Sequence, residues 1–334
     1  MNRRTRRTLT VVAAILVLLA VALFLRWKAP PESARILPES DGILYIKLKP
    51  IRSFFHKRLT PPQRVPDYQA FVDATGIDWE RDLDDAAIAL HRMPDPNGPN
   101  GPVAYSMVLR GKLTGEKLNH WLEANATQRE NYEGKIIYNV PSQGRTVRVS
   151  QIGYDMVAVS NFPTPEMIHS MIDRHRTAAW PLTGSTLLSR HYRDIPLLSV
   201  AWGMGQIGLP LTQSGAIHIF GLDLPMPVDS TFVASIAPGL SLKNLHLRVE
   251  EFAKNEDAAA SEAAALATLI TAARQFTAPL GENPANDALK DLLKGAEVTQ
   301  NHDRVIIKAN LPTSVFSSLA TAQGNDELDK TTPQ

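Results

Sequence analysis

Two segments far apart in the chain share one sequence pattern. Residues 149–164 read VSQIGYDMVAVSNFPT, and residues 298–313 read VTQNHDRVIIKANLPT. Each predicts a strand, a tight turn, a second strand and an Asn-x-Pro-Thr sequence that caps a helix. We interpret the match as a duplication, so the chain should build one supersecondary unit twice. The identities in the ungapped alignment are Val149/Val298, Gln151/Gln300, Asn161/Asn310, Pro163/Pro312 and Thr164/Thr313.

The segments upstream of the two matches correspond more loosely. In each half, three predicted strands precede a helix, which Thr114 caps in the first half and Asn255 in the second. The second helix is Ala-rich and has an apolar stripe that predicts packing on the sheet or, as an alternative, a partner-binding face. The corresponding strands are predicted at residues 42–50 and 197–202, 85–91 and 231–237, and 103–110 and 245–252.

The N-terminus carries a second pattern. Residues 1–28 contain six Arg and Lys and no acid, and an apolar run between the basic clusters starts at Leu9 and ends at Leu25. As a helix this run is about 25 Å long, close to the thickness of a bilayer core. Because the larger basic cluster comes first, the positive-inside rule predicts a single-pass inner-membrane protein with a cytoplasmic N-terminus and a periplasmic C-terminal region. The alternative is a signal peptide cleaved near Ala22.

Together these patterns predict the α+β class: an N-terminal transmembrane helix followed by two tandem repeats, each a mostly antiparallel sheet with helices on one face. Whether the two repeats share one sheet is left open by the sequence. The predicted boundaries are residues 1–28 for the basic N-terminus and anchor, 29–35 for a linker, 36–180 and 181–321 for the two repeats, and 322–334 for a disordered tail.

The start of the exported part supports a resemblance. The sequence LPESDGILYIKL, residues 37–48, follows the basic-flanked anchor and precedes paired α+β units. In this it resembles a broad group of uncharacterised bacterial single-pass envelope proteins, in which a strand after Leu-Pro begins the ectodomain. The resemblance implies an envelope location and a duplicated α+β ectodomain, and it implies no chemistry.

Composition excludes several classes of function. The chain has no Cys, which removes thiol nucleophiles, disulfides and Cys-ligated zinc. Without the six cations of residues 1–28, the rest of the chain carries 29 Lys and Arg against 34 Asp and Glu, a net charge of −5. Nucleic acid and an anionic lipid surface are therefore poor partners for the folded region.

A glycine-rich segment matches the G-x-G-x-x-G pattern of dinucleotide sites. It consists of Gly203, Gly205 and Gly208 after an apolar stretch, with Asp223 further on. Pro210 interrupts the helix that such a site needs, and Asp223 does not follow a second strand of the required kind. We interpret the segment as a Gly-rich turn and predict no cofactor.

Two groups of potential metal ligands lack the spacing of known sites. His169 and Asp173 share a helical face near His175, but no H-E-x-x-H pattern accompanies them. An acidic group lacks the glycine and terminal glutamate of an EF-hand and fits a helix N-terminus: Asp78, Glu80, Asp82, Asp84 and Asp85. No serine lies in a G-x-S-x-G context. No catalytic, cofactor-binding or metal-binding residue is therefore predicted.

These observations favour a membrane-tethered extracytoplasmic protein that is a non-catalytic binding or scaffold module of the cell envelope. Its expected partners are the bilayer, through the run from Leu9 to Leu25, and an envelope protein, with no nucleic acid. The alternative is a hydrolase-like enzyme with a site in the cleft between the repeats. A deep junction pocket with converging ionisable groups would favour the enzyme, and a shallow junction would count against it.

Overall fold

The computed structural model describes residues 29–55, 66–113, 115–142, 144–177, 184–206, 216–219, 222–225, 230–239, 244–277 and 284–312. The predicted anchor, the C-terminal tail and the helix predicted after residue 313 lie outside these ranges. Within them, no helix is both long and apolar enough to cross a membrane.

The first half begins with a short helix and then mixes strands and helices. Its elements are α1 (Glu32–Ile36), β1 (Gly42–Lys47), α2 (Leu48–Phe55), α3 (Pro66–Thr75), α4 (Trp79–Asp82), β2 (Leu83–Arg92), β3 (Val103–Gly111), α5 (Glu116–Asn125), β4 (Gln128–Tyr132), β5 (Lys135–Ser142), β6 (Arg145–Gln151), β7 (Met156–Ser160) and α6 (Glu166–Thr177).

The second half contains two long helices between its strands. Its elements are α7 (Thr186–His191), a 3₁₀ helix (Tyr192–Asp194), β8 (Ala201–Gln206), β9 (Ala216–Ile219), β10 (Leu222–Pro225), β11 (Thr231–Pro238), β12 (Asn244–Phe252), α8 (Glu256–Thr277), α9 (Pro284–Lys294), β13 (Glu297–Asn301) and β14 (Arg304–Pro312).

Twelve strands form one antiparallel sheet in the order β13-β14-β12-β11-β8-β1-β2-β3-β7-β6-β5-β4, and β9 pairs with β10 in a separate ribbon. The two halves meet where β1 pairs with β8, with Tyr45 opposite Trp202. The predicted fold class, an N-terminal transmembrane helix followed by two tandem repeats, each a mostly antiparallel sheet with helices on one face, was therefore wrong. The sheet is single and continuous, and the structure gives no support to a membrane helix.

The two halves have the same strand order from the centre outwards. It runs β1-β2-β3-β7-β6 in the first half and β8-β11-β12-β14-β13 in the second, and the first half adds the β5-β4 hairpin at its edge. The strand predicted at residues 197–202 instead begins at Ala201, and Leu197 and Leu198 precede it as exposed residues. The domain boundaries stay predictions.

The sequence match between the halves does not hold residue for residue across the hairpin turn. Gln151 pairs with Val157 in the first hairpin, whereas Asn301 pairs with Arg304 in the second, so the second loop is shorter. Because side chains alternate along a strand, a shift of one residue exchanges the faces. Val157 therefore lies on the same side of the sheet as Ile46, and its sequence counterpart Ile306 lies on the other.

The two sides of the sheet are named here after neighbouring residues of β1. The Tyr45 face carries Ile43 and Tyr45, and helices α1, α6 and α7 supply the core residues that cover it. The Leu44 face carries Leu44 and Ile46; α3, α4 and α5 cover it in the first half, while α8 and α9 pack on β13 and β14 in the second. Helices thus lie on both faces, which corrects the prediction of one helical face.

A buried carboxylate attaches α1 to the sheet. Asp85 is 1% exposed, accepts a hydrogen bond of 2.6 Å from the Ser33 hydroxyl and forms an ion pair with Arg110. Two partners compensate for the removal of this charge from water. Ser33 and Ala34 are buried, although residues 29–35 are predicted to be a linker.

Glycine is required where the two halves meet. Gly205 of β8 lies opposite Gly42 of β1 and has a φ of +129°. A Cβ at Gly205 would lie 2.3 Å from the carbonyl oxygen of Asp41 and 2.6 Å from the Cα of Gly42. Gly203 and Gly205 are therefore strand residues, of which Gly205 allows the close backbone approach, and their interpretation as a turn was wrong.

We expect Gly205→Ala to lower the free energy of unfolding by about 3 kcal/mol, because the new methyl group must displace backbone atoms and the φ is unfavourable. The matched control is Gly203→Ala on the same strand. There the new Cβ meets only the end of the half-exposed Leu44 side chain, so the expected loss is about 1 kcal/mol or less. Urea unfolding of both variants measures the difference, and equal losses would contradict the assignment.

Candidate functional site

A cavity of about 430 Å³ lies between the Leu44 face and helices α3, α4 and α5. Strands β3, β5, β6 and β7 form its floor, and the helices form its roof. This volume is within the range of small-molecule sites in proteins, about 300–1,000 Å³. The cavity is therefore the candidate functional site of the first half.

Aromatic side chains form much of the roof. Phe71 of α3 stacks on Trp79 with ring centroids 5.5 Å apart, and Trp121 of α5 meets Phe71 edge-on at 5.8 Å. On α5, Leu118, Trp121 and Leu122 recur at helical spacing, so one stripe of the helix faces the sheet. Such rigid rings hold each other in place and cannot collapse onto the strands as flexible chains would.

The cavity is apolar at depth and polar at one end. Leu113 and Leu122 at the deep end are 1% and 2% exposed. The polar lining residues are Tyr105, Asn125 and Ser142, of which Asn125 and Ser142 are exposed and mark the mouth. Among the described lining residues none carries a formal charge at neutral pH. The site thus suits an apolar group that enters with a polar end left at the surface.

A shallow groove of about 340 Å³ marks the junction of the two halves on the Leu44 face. Its walls are formed mainly by apolar residues of β1, β2, β8, β11 and β12, and Leu44 is 46% exposed. Tyr45 is also among its lining residues, but the Tyr45 side chain lies on the opposite face, where burial raises the pKa of the phenol above its usual range. The described residues of this groove do not bring together the converging ionisable groups that a hydrolase site would need.

The histidines and acids of the predicted α6 face contact the edge of the sheet. The His169 Nε2 atom lies 2.7 Å from a Glu130 carboxylate oxygen, and its ring stacks on Tyr132 at 3.8 Å. The Tyr132 hydroxyl donates a hydrogen bond to Asp173. His175 lies instead beside Gly153. These contacts dock α6 on β4, and no cluster of three or more potential metal ligands occurs in the described part of the chain.

The acidic residues before β2 are divided among separate partners. Asp78 caps α4 by accepting a hydrogen bond from the Glu80 amide, and Asp82 pairs with Arg81. Asp84 pairs with Arg52 of α2, while Asp85 lies on the Tyr45 face with Ser33 and Arg110. The structure therefore gives them capping and pairing roles rather than a shared cation.

The glycine motif is distributed over a strand and residues beyond it. Gly203 and Gly205 lie in β8, and Gly208 lies outside the described residues. Asp223 belongs to β10, in the two-stranded ribbon. A dinucleotide site places its glycines in a loop at a helix N-terminus, so the two described glycines do not form one.

A buried chain of hydroxyls ends on a histidine. His91 Nε2 lies 3.0 Å from the Ser106 hydroxyl, which lies 3.0 Å from the Ser160 hydroxyl. Both serines are 0% exposed, so a substrate cannot reach them as nucleophiles. Burial lowers the pKa of His91, and the nearby Asp41 carboxylate opposes that shift only in part. The hydrogen bonds from His91 through Ser106 to Ser160 therefore link β2, β3 and β7 and have a structural role.

The His91 pKa predicts a loss of stability in acid. The lowered value means that, as pH falls through about 6.5, the unfolded chain binds a proton before the folded protein does. His175 and His191 shift in the same direction, so they add to the effect. We expect His91→Gln to lose less stability than the unmodified protein between about pH 8 and about pH 5.5 in urea titrations. Parallel pH curves would contradict this role.

The sequence predicts one wall of the cavity, the apolar face of α5, but it does not predict the cavity itself. In the helix predicted after Thr114, Leu118, Trp121 and Leu122 recur at helical spacing, and this pattern predicts an apolar face. The strand residues of the floor are ordinary alternating apolar positions, and β4 was not predicted at all. A signal was present in the three large aromatics Phe71, Trp79 and Trp121 on neighbouring helical segments, which need more space than aliphatic side chains.

Comparison with known proteins yields limited similarity. No protein-family model matches the chain, and no curated protein matches it. Two crystal forms of TP0453 are similar in structure. Form III has a TM-score of 0.46 at 12% identity and form I one of 0.43 at 11%, covering 89% and 90% of this chain and 99% of each TP0453 chain. At these TM-scores and identities the similarity carries no inference about the family or the function of this chain.

Proposed function

We propose that the protein is a non-catalytic binding module that holds an apolar molecule in the cavity beneath α3 and α5. The observation that carries the proposal is the cavity itself, about 430 Å³ with an apolar interior and a polar mouth. An empty space of this size in a core would normally cost stability, since its lining loses packing contacts. A bound apolar group would restore those contacts.

The character of the walls supports binding over chemistry. Proton transfer and nucleophilic attack need ionisable or activated groups close to the substrate. The described lining offers Tyr105 as its ionisable side chain and otherwise hydrocarbon, indole, amide and hydroxyl groups. A hydrolase site at the junction, the alternative drawn from the sequence, gains no support from the shallow apolar groove found there.

We expect the purified full-length chain to bind the neutral fluorescent probe N-phenylnaphthylamine. The bound probe should quench the fluorescence of Trp79 and Trp121, because both side chains line the cavity. Val149→Phe places extra volume in the cavity from the floor strand β6, so probe affinity should fall by about tenfold or more. Fluorescence titration measures both the probe and the tryptophans.

The control variant changes the valine at the corresponding position of the second repeat. Val298 is the sequence counterpart of Val149, lies on the same face of the sheet and is half-buried, but it does not line the cavity. Val298→Phe should therefore leave the probe affinity unchanged. If neither the unmodified chain nor Val298→Phe binds the probe, the proposed function is wrong; equal weakening by both phenylalanines would contradict the placement in the cavity.

We further propose that the protein works outside the cytoplasm, in the cell envelope. The support is sequence alone: residues 1–28 combine basic clusters with an apolar run, a pattern typical of export segments, and the remaining chain carries a net charge of −5. An envelope location also supplies a setting in which apolar molecules must be kept from water.

A bacterial alkaline phosphatase fused after Gln334 should be active, because this enzyme folds correctly only after export. A β-galactosidase fusion at the same position should be inactive, and deletion of residues 1–28 should reverse both results. Active β-galactosidase in the full-length fusion would overturn the proposed location. The mass of the mature chain then distinguishes retention of the N-terminus from cleavage near Ala22.

A further inference from the structure

An arginine stands at the mouth of the cavity. Arg145 pairs with Ser142 across the β5–β6 hairpin, and Ser142 borders the cavity. Side chains alternate along β6, so Arg145 lies on the same face as Val147 and Val149, both of which are lining residues. Arg145 therefore follows the lining residues of β6 at the open end of the apolar floor, next to Ser142, although it does not itself line the cavity.

The side chain of Arg145 has no hydrogen-bond or ion-pair partner among the residues that the structure describes. Arg52, Arg81 and Arg110 differ from Arg145 in this respect, because each forms an ion pair with a carboxylate. The side chain is only half-buried, and its Nη2 atom lies against the β2–β3 loop, where a Cβ at Gly101 would come within 2.6 Å. A half-buried guanidinium with free donors is suited to an anionic group from outside.

The nearest acid of that loop is engaged elsewhere. Asp95 accepts a hydrogen bond of 3.1 Å from the Asn97 amide, within its own turn. Arg145 is thus a local positive charge in a region whose overall charge is negative. This net charge opposes binding to a large anionic surface, but one guanidinium is sufficient for a single head group.

The depth of the cavity matches an extended chain. The floor runs along β6 from the level of Arg145 to that of Gln151, which pairs with the deep residue Val157. At about 3.3 Å per residue this distance is about 20 Å. A ligand that occupies it is long and apolar at one end, and its other end emerges beside Ser142 and Arg145.

Resting on the proposed function, we propose that the ligand is a single-chain anionic amphiphile. Its acyl chain lies between the sheet and α5, and its carboxylate or phosphate head is bound by Arg145. A planar guanidinium donates two parallel hydrogen bonds to either head group, which is the shared chemistry that recognises it. No charged side chain is needed deeper in the cavity, and the described lining has none.

The test displaces N-phenylnaphthylamine from the full-length chain with three ligands of equal chain length: dodecanoate, dodecyl phosphate and dodecanol. We expect the two anions to bind about tenfold or more tightly than the alcohol. Arg145→Gln should remove this preference while leaving the affinities for dodecanol and for the probe unchanged. Arg145→Lys should keep part of it. The two anionic arms show whether a carboxylate or a phosphate head is preferred.

Arg129→Gln is the control, since it removes the same charge from β4, which lies beyond β5, and there Arg129 has Glu123 as its partner. It should leave the preference for anions intact. Equal binding of dodecanoate, dodecyl phosphate and dodecanol by the unmodified chain would overturn the inference, as would an undiminished preference in Arg145→Gln. In both cases continued probe binding would leave the proposed function standing, whereas loss of all binding by the unmodified chain would reject both.

Discussion

The antiparallel pairing of β1 with β8 is the contact on which the rest of the structure depends. It joins seven strands of the first half and five of the second into one sheet, and it brings Gly205 so close to the Gly42 backbone that a Cβ at Gly205 would collide with it. On the Tyr45 face, Tyr45 stacks on Trp202 with ring centroids 5.1 Å apart. Separation of the halves would expose these rings together with two unpaired strand edges, which is why the unit must fold as a whole.

The two halves have the same strand order, but different helices cover the sheet in each half. In the first half, α3 and α5 present the large rings of Phe71 and Trp121, which pack on each other and keep a space above the strands. In the second half, the buried residues of α8 include Ala259 and Ala273, whose small side chains allow a helix to approach its neighbours closely. The cavity is therefore a property of the helices that cover the first half rather than of the shared sheet.

Local patterns predicted much of the sheet, and long-range contacts decided the rest. Strands β2 and β3 were predicted at residues 85–91 and 103–110 because the pattern of apolar residues along a strand is a local signal. The first strand of the second half was misplaced because Leu197 and Leu198, 54% and 67% exposed, look like strand residues, while the glycines of β8 look like a turn. Glycine is favourable at Gly205 because β1 approaches so closely there. The sequence around β8 does not show that β1 is its partner strand. The cavity was missed for the same reason: it is a space between segments distant in sequence.

The β4–β5 hairpin distinguishes the first half from the second, and it also completes the wall of the cavity. Between its third strand and its matched hairpin, the first half inserts β4 and β5, joined by a tight turn in which Glu133 and Gly134 have φ values of 50° and 74°. The second half has α9 at the corresponding position. Strand β5 supplies Val140 and Ser142 to the cavity, and it holds Arg145 in register at the mouth. A unit without this hairpin keeps the sheet order but lacks both that wall and the strand that pairs with Arg145, so the proposed binding of an amphiphile depends on the insertion and not on the shared strand order alone.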